Sequence, residues 1–170
     1  MKRKLIVISI VAWCWALGTP STAADVTAGI WKLNAAKSKY TPVEQARYET
    51  ITIETVGGNT KVTLEGTDSA GKKVHAEWTG KYDGKDYPVS GSPDIEALAY
   101  KKVDDHNYES INKHGGKTSA TSKIAYSADG KTRTVTSSGT NTKGQRVSVI
   151  APRSALTSNA LRRMVRRSVT

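Results

Sequence analysis

The chain has 170 residues, with 26 Lys and Arg against 15 Asp and Glu, a formal net charge of +11, one cysteine and no Phe. Three of the basic residues precede Ala24 and five follow Ala151, leaving 18 against all 15 acidic residues between them, a mild balance that argues against a nucleic-acid binder. The one cysteine, Cys14, lies in the apolar opening, so everything after it is barred from disulfides, thiol chemistry and thiolate metal sites.

The opening reads as an export signal. Met1-Lys2-Arg3-Lys4 is a basic start, Leu5 to Leu17 is apolar apart from Ser9, and Gly18-Thr19-Pro20-Ser21-Thr22-Ala23-Ala24 supplies small residues. Ser21-x-Ala23 or Thr22-x-Ala24 fits signal peptidase, which places cleavage before Ala24 or Asp25. The apolar run is shorter than the roughly 18 to 20 residues of a membrane-spanning helix. Trp13 stands before Cys14 where lipidation needs a small residue. The expected organisation is a signal peptide over 1–24, one domain over 25–150 and a basic tail over 151–170, with the product periplasmic or secreted.

From Ala28 onward, short segments of strand composition recur every 8 to 13 residues or so, separated by turn chemistry. Strands are expected near Ala28–Asn34, Arg47–Val56, Thr60–Glu65, Lys73–Gly80, Asp86–Ser90, Ile95–Val103, Asn107–Asn112, Thr118–Ser127, Thr132–Ser138 and Arg146–Ile150. Ile51 and Ile53 alternate with Thr50, Thr52 and Glu54, Val62 and Leu64 with Lys61 and Thr63, and Val74, Ala76 and Trp78 with Lys73, His75 and Glu77. Such alternation gives each strand one inward face. Gly57-Gly58, Asp83-Gly84, Gly115-Gly116 and Asp129-Gly130 are hairpin signals, and short connections make neighbouring strands antiparallel. The longer link from Ala35 to Ala46, containing Pro42, reads as a surface loop, with a short helical turn or a lid over a barrel mouth as the alternatives. The fold class is therefore all-β, an antiparallel up-and-down meander closing into a barrel of 8 to 10 strands.

Ala28-Gly29-Ile30-Trp31-Lys32-Leu33 resembles the Gly-x-Trp opening of the calycins, which include lipocalins and fatty-acid-binding proteins. The continuation Asn34 to Tyr40, the Gly66 to Lys72 hairpin, Lys81 to Val89, Gly91 to Asp94, Ser127 to Thr132 and Gly139-Thr140-Asn141 are similar to a group of small exported bacterial lipocalin-like proteins without assigned function. The resemblance implies a barrel whose end is closed by Gly29 and Trp31, with Arg146 or Arg153 of the last strand packing over the indole by a cation-π contact. After Ile150 the chain departs from that pattern with Ala151-Pro152-Arg153 and an Arg-rich run.

Tyrosines on or beside the central strands stand in for the missing Phe. Trp78, Tyr82, Tyr87, Tyr100 and Tyr126 are the candidate ligand-lining residues, with Tyr108 beside them; the alternative is that they fill the core. His75, His106 and His114 show no metal-ligand spacing, no Ser lies in a Gly-x-Ser-x-Gly context, and Asp104-Asp105 reads as a turn. No cofactor, metal or catalytic residue is expected, and a small hydrolase or isomerase is the least favoured reading. In the tail, Leu156, Ala160, Leu161, Met164, Val165 and Val169 share one helical face while Arg162, Arg163, Arg166 and Arg167 take the other, a pattern suited to an anionic surface or a protein partner. The function expected first is a monomeric exported binder of a small lipophilic or amphipathic molecule. The second is a filled-barrel interaction protein, an inhibitor of an exported enzyme or an envelope-binding factor, acting through loops or tail.

Overall fold

The period-two pattern folds as it reads. A computed structural model describes residues 26–42, 47–68, 70–141 and 144–156; the proposed signal peptide and the four late arginines lie outside the described residues. The strands are β1 (Gly29–Leu33), β2 (Lys39–Thr41), β3 (Arg47–Val56), β4 (Asn59–Thr67), β5 (Lys73–Gly80), β6 (Asp83–Ser90), β7 (Ala97–Lys102), β8 (Asn107–His114), β9 (Lys117–Tyr126), β10 (Thr132–Thr140) and β11 (Arg146–Ala155). Ile51, Ile53, Val62, Leu64, Val74, Ala76 and Trp78 are all buried, while the residues alternating with them stay half-buried or exposed. One face of each strand therefore packs inward, which is what excludes water from the ladder's inner side.

Every pairing is antiparallel, and ten strands close in the order β1-β3-β4-β5-β6-β7-β8-β9-β10-β11 with β11 returning to β1. Closure removes the exposed edges that an open sheet would present. The eleventh strand, β2, lies outside the ring on β11. It was hidden in the link read as a loop, and the alternative of a short helical turn is met by a 3-10 turn at Ala35–Lys37. β1 and β2 share one partner strand: from Leu33↔Arg153 to Lys39↔Ile150 the chain advances six residues on one side and three on the other, so three are looped out.

That bulge explains how β11 runs through a proline. The Pro152 carbonyl accepts from the Asn34 N–H at 2.9 Å, so the position where Pro lacks a donor also faces the interrupted β1–β2 side. Proline is tolerated in a sheet where no ladder partner needs its N–H. The strand boundary expected at Ile150 is thus corrected to Ala155, and Ala151 to Ala155 belong to the barrel rather than to the tail; Trp31↔Ala155 and Leu33↔Arg153 are the pairs that close it.

The β5–β6 seam is the weak one. Its ladder consists of Glu77↔Ser90 and Trp78↔Val89, against nine partner pairs between β3 and β4. A Cβ on Gly80 would stand 2.6 Å from the Tyr87 ring, so that ring lies directly over the glycine backbone.

Candidate functional site

The two ends of the barrel differ. At one end, called the floor, the segment before β1 folds underneath: Thr27 is fully buried, its carbonyl accepts from Trp31 Nε1 at 3.0 Å and its hydroxyl accepts from Tyr82 OH at 3.3 Å. Gly29, at φ +135°, turns the chain from this plug into β1 in a backbone region that side chains disfavour. Above it stands a continuous chain of rings. Trp31 meets Tyr126 edge-on at 5.3 Å, Tyr126 meets Tyr108 at 5.6 Å, Tyr108 meets Tyr82 at 4.9 Å, and Tyr82 and Tyr87 both reach Trp78. Tyr100 packs edge-on against Trp78 at 5.0 Å, and Trp78 Nε1 donates to the Leu98 carbonyl at 2.9 Å. Tyr82 stacks on Trp78 with the ring planes 24° apart, and the other contacts are favourable edge-to-face geometries.

All five candidate ligand-lining aromatics, Trp78, Tyr82, Tyr87, Tyr100 and Tyr126, are therefore brought together, as parts of one packed floor. Trp31, 1% exposed, closes that end. Arg146 does not join it. It is exposed at the opposite end of β11, opposite Thr140, far from the Ala155 that faces Trp31.

Two other arginines occupy the floor. Arg133 on β10 and Arg153 on β11 are direct cross-strand partners, 2% and 4% exposed. Arg133 Nε donates to Tyr126 OH at 3.0 Å, with its guanidinium 5.8 Å from the centre of that ring. Arg153 Nη1 donates to the Tyr48 carbonyl at 2.5 Å, just beyond the Lys32↔Thr50 pair where the β1–β3 ladder ends. Burial, reinforced by the Arg133 charge, pushes Arg153 down to about 10; burial pushes Tyr126 up to about 12. Arg133 Nη1 and Arg153 Nε are buried without a partner.

Above the floor the wall changes character. Along β11, Arg153 and Ala151 are buried, whereas Val149 and Val147, on the same inward alternation, are only half-buried; along β10, Arg133 gives way to half-buried Val135, Ser137 and Gly139. Inward-facing positions of these two strands are therefore partly reached by solvent, whereas Ser110 and Ser122 on the neighbouring strands are buried. Ser110, Ser122 and Ser137 align across β8, β9 and β10, and Ser122 donates to Ser137 at 3.0 Å. Gly139 must stay small, because a Cβ would come within 2.0 Å of the Ser119 carbonyl oxygen. At the mouth, the end opposite the floor, an open groove is lined by Thr41 of β2 with Ser138, Gly139, Thr140, Arg146, Val147 and Ser148 of the β10–β11 hairpin, mostly residues on the outward alternation, so it lies on the outer face of the hairpin.

The chain matches no family model, and no curated protein matches it in sequence. The closed antiparallel barrel is compatible with the calycin resemblance, and the fold is what that compatibility covers. His75 is exposed between Glu65 and Glu77, each 3.7 Å away, on the outer face as its alternation indicated. Among the described residues no group of three or more His, Cys, Asp or Glu side chains is arranged to hold a metal ion.

Proposed function

We propose that this chain is an exported binding protein whose barrel holds a small lipophilic or amphipathic molecule between the aromatic floor and the mouth. The observation that carries the reading is the gradient along β10 and β11, from fully buried inward residues at the floor to half-buried Val135, Ser137, Gly139, Val147 and Val149 above it. Inward valines and hydroxyls that still meet solvent along these two strands suit an apolar body with polar contacts, which supports this reading. Export rests on the basic, apolar and small-residue order of Met1 to Ala24.

Native mass spectrometry of the purified protein and titration with dodecanol test the binding. Binding of dodecanol in the wild type, abolished by Ser137→Trp with the circular dichroism spectrum retained, is the expected result; no binding, or binding unaffected by the added indole, overturns it. Fractionation of cells with N-terminal mass analysis tests export, the expected product beginning at Ala24 or Asp25.

A further inference from the structure

The segment in front of β1 is fastened to both sides of the ring. Thr27 takes Trp31 Nε1 of β1 on its carbonyl and the hydroxyl of Tyr82, from the β5–β6 turn, on its own hydroxyl, at 3.0 and 3.3 Å. Tyr82 itself is packed among Trp78, Tyr100 and Tyr108. Val26 packs half-buried against the same core. Ala28 alone separates this plug from Gly29, which is already paired with Ile53, so the chain has no slack there. Withdrawing Thr27 would leave the Trp31 N–H and the Tyr82 hydroxyl without their acceptors in a buried place, and the population of such an opened state falls about tenfold for each bond given up.

The bonds that the export reading marks for hydrolysis, Ala23–Ala24 or Ala24–Asp25, stand immediately before the plug. Thr27 is the fourth residue after the first bond and the third after the second. An extended chain advances at most about 3.6 Å per residue, so either bond lies within about 14 Å of Thr27, less than the roughly 20 Å width that ten tilted strands give a barrel. A peptidase must surround the bond with its catalytic groups and draw the flanking residues into its cleft, and backbone held in a folded core is cleaved through its opened state. We infer that the plug gates processing: the signal peptide is removed only while Val26 and Thr27 are outside the barrel, so hydrolysis precedes closure of the floor. Water adds across the bond, leaving a carboxyl on Ala23 or Ala24 and an amine on Ala24 or Asp25. A precursor that folds first keeps its signal peptide.

This rests on the export proposed above, and the test separates the two. The full-length chain, refolded in detergent micelles, is incubated with a purified signal peptidase beside two variants, and products beginning at Ala24 or Asp25 are timed by mass spectrometry. One variant inserts six alternating Gly and Ser residues between Asp25 and Val26, moving the bond away from the plug. The other ends at Gln145, so that it lacks β11 and cannot close. The folded wild type is expected to be cut at least about tenfold more slowly than either, the worth of one plug bond. Thr27→Ala, which gives up the bond to Tyr82 and keeps the carbonyl for Trp31, is expected to speed cutting of the folded chain several-fold. Equal rates for all the chains overturn the gate and leave the cleavage bond standing. Fast cutting of the chain ending at Gln145 with the linker chain still resistant also overturns it, because the obstacle is then the barrel and not the plug. If none is cut, the export reading falls and the gate with it. If circular dichroism shows the linker chain unfolded, Thr27→Ala against the wild type decides the matter.

Discussion

Replacing Arg153 by Met tests whether the buried arginine stabilises the barrel. Its guanidinium, ordinarily at 12.5, is pushed down to about 10 because folding strips its water and sets Arg133 opposite. A base depressed in the folded state disfavours folding wherever it remains charged, and at 1.36 kcal/mol per unit this amounts to about 3 kcal/mol at neutral pH. Against that stands the bond from Nη1 to the Tyr48 carbonyl, worth about 1.5 to 3 kcal/mol as a hydrogen bond to a charged donor. Met fills similar apolar volume and relieves Arg133, so the two terms nearly cancel. Urea unfolding at pH 7, followed by tryptophan fluorescence, is expected to place Arg153→Met within about 1 kcal/mol of the wild type at unchanged slope. A loss of about 3 to 5 kcal/mol, the size seen when one member of a satisfied buried ion pair is removed, would refute the reasoning.

Trp31→Ala removes the indole that closes the floor and is expected to cost about 3 to 5 kcal/mol, with Trp31→Phe losing only about 1 kcal/mol for the bond to Thr27; thermal and urea melts measure both. Buried Tyr126, raised from 10.0 to about 12, stays neutral in the fold while its unfolded counterpart ionises, so stability present below pH 10 is lost as pH rises towards 12, by about 3 kcal/mol for this group. Tyr82, Tyr48 and Tyr40 shift the same way and outweigh Arg153, which acts oppositely, so urea midpoints should fall steadily above pH 10 as tyrosinate absorbance grows. At the seam where β5 and β6 share two partner pairs, the segment 79–87 should exchange amide hydrogens faster than 61–67, as measured by mass spectrometry; equal protection would contradict the topology.

Much of the fold was legible because the inward residues of β3, β4 and β5 alternate cleanly between Ile, Val or Leu and Thr, Lys or Glu. β2 was not, since three residues, Lys39 to Thr41, carry no period. Pro152 hid the end of β11, because its tolerance depends on a bulge in a strand more than a hundred residues away. The arginine pair was missed for a different reason: Arg153 entered only as one of two alternatives for packing over Trp31, implied by the resemblance, and Arg133 was not singled out. Their parity was nonetheless visible, Arg133 sharing the phase of Val135 and Arg153 that of Val147, Val149 and Ala151. The tyrosines were legible as a group, but their mutual packing depends on which ends of which strands meet.

The meeting of β1 with β11 bears on when the barrel can form. Trp31 pairs opposite Ala155, 124 positions later, so the ring cannot close until nearly the whole domain has left the ribosome. Contacts of such long range form late and slowly, because the chain must first give up the freedom of the entire intervening loop. A protein built this way cannot close its ring while it is being made, and an unclosed chain is the state in which a polypeptide can be threaded through a membrane channel. Under the export proposed above, barrel closure would come on the far side, where the first and last strands are finally present together.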